Sequence, residues 1–205
     1  MTGTRDRLVH VSAALLQRQG LTGTGIKQIL SEAHAPFSSL YHHFPGGKDE
    51  LARAAIGDAG ARYQGIVEAV WDEAPDVISS VAAVFDGAAR TLEETDFALG
   101  CPIATIALEV ASTNEQLRLA TAEVFDAWIA ACTGRLEAEN ISADDARVLA
   151  LTLISLLEGA FMLSQAMKST EPMRAAGVSA TAAVRSVLGP PTGGTRPPLT
   201  PATIP

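Results

Sequence analysis

The sequence predicts an all-α protein of about nine helices, and three observations carry that reading. The 205-residue chain is 47% hydrophobic but only 5% aromatic, and it is rich in alanine. Ala and Leu lose little on entering a helix, whereas strands draw on β-branched and aromatic residues. Apolar residues recur at helical spacing from Leu8 to the 180s, and Pro, Gly and capping residues punctuate them. No stretch alternates convincingly as a strand.

The elements follow in order. Thr4 to Gly20 reads as a helix with Leu8, Val11, Ser12, Leu15 and Leu16 on one face, capped by Thr4 and ended by Gly20. Thr22 to Gly25 is a loop in which Thr24 is placed as an N-cap. Ile26, Ile29, Leu30 and Ala33 give a second helix of about two turns. After the tight connection His34-Ala35, Pro36 sits in the first turn of a short third helix, where its missing N–H costs nothing. That helix runs from Phe37 to about His43, and Pro45-Gly46-Gly47 breaks it. Helix, helix, short turn, short helix is the helix-turn-helix pattern. Leu40 and Phe44 are expected to pack inward on Ile29 and Leu16, leaving Ser38, Ser39, Tyr41, His42 and His43 largely outside.

A long fourth helix starts at Lys48 and reaches about Trp71. Pro75 marks the start of a fifth, to about Thr95, and Phe97 to Pro102 is a break. Ile103 to Ala111 is a short apolar helix, and Ser112-Thr113-Asn114 caps a seventh to about Glu139. Ser142 with Asp145 outlines a capping box for the apolar eighth helix to about Lys168. Pro172 starts the ninth, which ends at Gly189. The remaining stretch, GPPTGGTRPPLTPATIP, holds six prolines and reads as a disordered or extended tail. The expected organisation is a helix-turn-helix domain over 1–46, a ligand-binding and dimerisation domain over 47–189, and the tail over 190–205.

Charge is uneven. Residues 1–55 hold six Lys/Arg against four acids, and the rest hold nine against nineteen, so a mildly basic head precedes an acidic body in a chain of net charge -8. The longest apolar run, Val148 to Leu163, is interrupted by Glu158 and falls short of the roughly 20 residues of a membrane span. No secretory signal is legible, so a cytoplasmic protein without a membrane partner is expected. Cys101 and Cys132 are expected reduced and form no metal site with His partners. No cofactor is implied.

A helix-turn-helix sets its last helix in the DNA major groove. Phe37 can touch thymine methyls, Ser38 and Ser39 can reach base edges or phosphates, and Tyr41, His42 and His43 offer flat rings with polar tips. Pro36, Lys27, Thr24 and Lys48 complete the candidate DNA-facing set, the last two near helix N-termini that favour an anion. Adjacent His42 and His43 point about 100° apart on a helix, which makes them a poor metal pair. Ser38 and His42 lack an orienting acid and an oxyanion hole, so no catalytic site is expected.

These residues also carry a resemblance. TRDRLVHVSAALLQRQGL, TGIKQILSEA and SLYHHFPGGKDEL resemble the DNA-binding head of the TetR family of transcriptional regulators. APFSSLYHHFPGGK, GCPIATIALEV, the Phe125/Trp128 pair and LLEGAF are similar to its LmrA/YxaF-type subgroup. His34 and Ser38 stand where that pattern usually carries glycine. The resemblance implies a homodimeric repressor on a palindromic double-stranded operator, paired through its last two helices and released by a small-molecule effector. Two other readings stay open: a helical small-molecule-binding protein that no longer reads DNA, and an enzyme using an acid in an apolar cavity.

For the effector site, the large or soft apolar residues of the body are the candidates: Trp71, Phe85, Phe97, Cys101, Ile103, Ile106, Phe125, Trp128, Phe161 and Met162. Glu158 joins them because a carboxylate inside an apolar run needs a partner or a function. It either meets a ligand cation or donor, or pairs with an arginine such as Arg147 or Arg118. Glu109 is a second acidic candidate.

Overall fold

The computed structural model describes residues 3–188, so the expected tail over 190–205 lies outside the described residues. Nine helices and no strand occur among them: α1 Thr4–Gly23, α2 Ile26–Glu32, α3 Phe37–His43, α4 Gly47–Glu73, α5 Val77–Glu94, α6 Ala104–Val110, α7 Glu115–Ala138, α8 Ala143–Met167 and α9 Glu171–Leu188. Local chemistry explains most boundaries. Asp76, Asn114 and Ser142 cap α5, α7 and α8 by accepting the N–H of Ser79, Leu117 and Asp145. The expected capping box at Ser142 is only half made. Its hydroxyl also donates to Asp145 Oδ2, because Asp is one carbon short of the Glu that reaches back to the cap N–H.

Several turns use left-handed backbone, two of them in the head before α3. Gly20 (φ +70°) breaks the helical course of α1, and one further turn follows it to Gly23. His34 closes α2 at φ +48°, with Ala35 N–H donating to Leu30 O at 2.9 Å. That is the helix-ending geometry for which glycine is the usual residue.

Two apolar clusters organise the chain. The head cluster gathers Leu8, Val9, Leu15, Ile29, Leu30, Ala33, Leu40, Phe44 and Leu51. The body cluster runs through α4 to α9, and it also takes Ala13 and Leu16 from α1. Leu16 therefore does not sit under Leu40 and Phe44 as expected. α1 has two buried faces, and Leu16 lies on the one that meets Ala52, Ala55 and Ile56 of the body cluster. α5, α8 and α9 pack together, and α7 lies between α4 and α8.

α8 is 25 residues long, longer than the apolar run that suggested it, and is apolar and long enough to cross a membrane. Only 39% of its most apolar stretch is buried. Val148, Leu151, Met162, Leu163 and Met167 of α8 and Val178 of α9 are exposed large apolar residues.

Candidate functional site

The third helix is built to present one face. Leu40 and Phe44 are 0% and 1% exposed and anchor α3 in the head core. Phe37 and Tyr41, one turn apart, stand 60% and 50% exposed, with ring centroids 5.8 Å apart. Ser38 and His42 are exposed beside them, as are Pro36 and Lys27, while Ser39 and His43 are half-buried. The His42 and His43 rings meet edge-on at 4.8 Å. A helix that exposes two aromatics, a serine and an imidazole while burying nothing polar offers a surface for another molecule.

Two expected phosphate contacts are turned inward. Thr24 is 1% exposed and its hydroxyl donates to Gly20 O at 2.7 Å, leaving Gly25 as the cap of α2. Thr24 is thus a strut across the break at Gly20. Lys48 Nζ donates to Leu21 O at 2.7 Å, so its charge lies against the end of α1. The start of α4 already has a carboxylate, since Gly46 N–H donates to Glu50 Oε2 at 2.7 Å.

Glu109, expected as a ligand-site acid, instead joins the body to the head. Its two carboxylate oxygens accept the N–H groups of Leu21 (2.6 Å) and Thr22 (2.7 Å) just past the kink in α1. Burial alone would raise its pKa; the bonds from Thr22 and Leu21, with Lys48 nearby, hold it below the usual carboxylate range. Gly20 is required here on two counts. Its φ is positive, and a Cβ would stand 2.7 Å from Glu109 Oε2. Gln17 Nε2 donates to Gly100 O, which ties the same two parts together at a second point, and Asn114 Nδ2 donates to Asp49 Oδ2 at the start of α4.

The body contains a narrow apolar cleft between α4, α5, α7 and α8. Of the expected residues, Trp71, Phe85 and Trp128 line it. Trp128 is oriented by an Nε1–H bond to Gly60 O at 3.0 Å, and Phe125 meets it edge-on at 5.5 Å from behind. Phe161 lines a second, wider and more polar cleft between α1, α4 and α5, where Arg62 donates to His10 Nδ1. Cys101, Ile103 and Ile106 are buried core around the start of α6 and line neither cleft. Phe97 is held in the turn after α5 at φ +60°, under Lys168 Nζ at 5.6 Å, also away from both. Met162 is 61% exposed on the outer side of α8, because Ala160, Phe161 and Ser164 take the inner positions of that turn.

Sequence reasoning missed Tyr63, Val67, Leu153, Leu157, Cys132 and Arg135 as cleft residues. Tyr63, Val67 and Trp71 form an i, i+4, i+8 stripe along α4, a signal that was there to be read. Tyr63 and Val67 line both clefts.

Glu158 has no arginine partner. Arg118 pairs with Glu115, and Arg147 is exposed. Both carboxylate oxygens of Glu158 are buried with no well-formed hydrogen bond; burial lifts its pKa to about 7, and the Cys101 thiol beside it offsets part of that rise. Burial likewise pushes the Cys101 thiol and the Tyr63 hydroxyl up, with Glu158 nearby adding to both. Cys132, in the cleft wall, is raised to about 11 by burial and is no ready nucleophile. No cluster of three or more potential metal ligands occurs among the described residues.

Comparison with known proteins agrees with this architecture. Residues 8–55 match the family described as bacterial regulatory proteins, tetR family, and residues 77–179 match the C-terminal domain of LmrA/YxaF-like transcriptional regulators. The HTH-type transcriptional regulator Rv0196 of Mycobacterium tuberculosis (strain ATCC 25618 / H37Rv) is 34% identical over 178 residues, 84% of this chain and 90% of that protein. YxaF of Bacillus subtilis (strain 168) is 32% identical over 83% of this chain and 89% of its own length. Among solved structures, a TetR transcriptional regulator from Chloroflexus aurantiacus J-10-FL superposes with a TM-score of 0.73 at 28% identity, covering 87% of this chain and 92% of that one. The family and these relatives are transcriptional regulators, not enzymes, and the chain belongs to the TetR family of helix-turn-helix regulators, in its LmrA/YxaF-like branch.

Proposed function

We propose that this chain is a ligand-released repressor. Two copies pair through α8 and α9, set their α3 helices in successive major grooves of a palindromic operator, and leave it when a small apolar or amphipathic effector enters the body. The observation that carries the reading is the pairing of an outward α3 face with an aromatic cleft in the same subunit. Phe37, Ser38, Tyr41 and His42 are the base-reading residues of this proposal, with Pro36, Lys27, Ser39 and His43 beside them. Lys48 and Thr24 act by holding the head in shape. The exposed apolar residues of α8 and α9 support a second copy as their cover, and a cytoplasmic location goes with that reading. A ligand releases DNA only insofar as it binds the released arrangement more tightly than the DNA-bound one.

The experiment is fluorescence anisotropy against duplexes tiled across the DNA upstream of the chain's own gene, at stated salt, with a scrambled control. One duplex is expected to bind at least about a thousandfold more tightly than the scramble. Tyr41→Ala is expected to weaken that duplex by about tenfold or more, with little change for the scramble. Few cations face DNA, so the salt dependence is expected to be shallow. Equal, weak binding to every duplex, in a dimer of native stability, would sink the proposal for this region of DNA.

A further inference from the structure

We infer that the effector is an amphipathic amine, whose ammonium group pairs with Glu158 while its apolar part fills the aromatic cleft. The inference rests on the reading of the body as a ligand sensor and names the chemistry that sensor takes.

Three observations point to it. First, Glu158 is an acid without a counter-charge. Both oxygens are buried, with the weakly donating Cys101 thiol beside them and no well-formed hydrogen bond. The groups facing it are the Cys101 thiol and the Tyr63 hydroxyl, neither of them a cation. Arg118, Arg135 and Arg62 pair with Glu115, Asp72 and Asp58, and Arg90, Arg147 and Arg185 stand exposed on the surface. A buried carboxyl left this way is costly, and a protein that keeps one gains by meeting a cation there.

Second, its place in the fold brings it to the wall between the two clefts. Leu157 beside it lines the first, Phe161 one turn on lines the second, and Tyr63, which faces it, lines both. Glu158 itself lines neither cleft, so a ligand seated against Tyr63 meets its carboxyl when that side chain turns out of the wall toward the ligand. Third, the cleft walls suit such a ligand. The rings of Trp71, Phe85, Trp128 and Tyr63 cover an apolar body and attract a cation over their faces. Arg135 already stands 5.8 Å from the Trp71 ring centroid at the outer end, so the ligand's charge belongs deeper, toward Tyr63. A carboxylate ligand would meet repulsion from Glu158, and a ligand bearing only acceptors would leave an ionised Glu158 unpaired.

Burial lifts the Glu158 carboxyl to about 7, so near neutral pH it is partly protonated before binding. An ammonium favours the carboxylate, and the proton leaves to solvent as the amine binds. Affinity for the amine then rises with pH until the amine itself loses its charge.

The test is calorimetric titration of the full-length protein with 2-naphthylmethylamine, 2-naphthylmethanol and 2-naphthoate, three probes that share one ring. The amine is expected to bind at least about tenfold more tightly than the alcohol, and the naphthoate least well. Its affinity is expected to be about tenfold lower at pH 6 than at pH 8, with proton release visible as a dependence of the heat on the buffer used. Glu158→Gln keeps the shape and removes the charge. It is expected to erase the preference for the amine and its pH dependence while leaving alcohol binding in place. Equal affinity for amine and alcohol, or a preference for the amine that survives Glu158→Gln, would overturn the assignment and leave the cleft as a sensor of neutral compounds. Binding of none of the three probes would remove the cleft as a ligand site, and both readings with it.

Discussion

His34 shows how much a single position can disclose. It stands where the related pattern usually carries glycine, and the chain does turn left-handed there, at φ +48°. A side chain with a Cβ costs about 1 kcal/mol or more in that region. His34→Gly is therefore expected to raise the unfolding free energy by about 1 kcal/mol, partly offset by the freer unfolded chain, in a urea titration. Glu109 teaches the opposite lesson. Its acidity was visible in the sequence, but its partners lie 87 and 88 residues away, so nothing local could assign it to the end of α1. Glu109→Gln is expected to cost about 1 kcal/mol at pH 7. Because the folded protein holds this carboxyl below its ordinary range, its contribution is full at neutral pH and is lost as pH falls through that lowered value. The gap between the wild type and Glu109→Gln should thus narrow as acidification passes below the ordinary carboxylate range, as read by thermal melting. Thr24 and Lys48 were misplaced for a related reason. Both looked free for phosphate until the kink at Gly20 supplied carbonyls for them to hold.

Helices were legible because their ends are written locally. Asp76, Asn114 and Ser142 each take the N–H three positions on, and apolar spacing fills in what lies between. Which side of a helix meets which neighbour was less legible. Met162 and Phe161 are adjacent and both large, yet the turn of α8 sends one out and the other in. The contact between α4 and α7 is the tightest example of such a choice. A Cβ at Gly60 would stand 2.5 Å from Val124 Cγ1, and the Gly60 carbonyl also holds Trp128. Gly60→Ala is expected to destabilise by about 1–3 kcal/mol despite alanine's better helix propensity, because two helices must part. Val124→Ala should relieve part of that loss when the two are combined, a coupling that a double-mutant cycle measures.

The exposed apolar side of α8 and α9 has meaning only for an assembly. If a second copy covers it, Met162→Glu together with Val178→Glu should give a monomer by analytical ultracentrifugation and remove the concentration dependence of the melting temperature. If the pair stays dimeric, the interface lies elsewhere. The all-helical architecture and the outward recognition helix were legible in the sequence, while the course of the aromatic cleft depended on how four helices choose their neighbours. α1 has a consequence of its own. It contributes Leu8, Val9 and Leu15 to one cluster and Ala13 and Leu16 to the other, and its end is held by Glu109. A cut at residue 46 would strip the remainder of an inner wall, so the two parts are not interchangeable modules. A chimera that grafts this reader onto a foreign sensor inherits the partner's specificity only if the graft also carries Ala13, Leu16 and a matching acid at the position of Glu109.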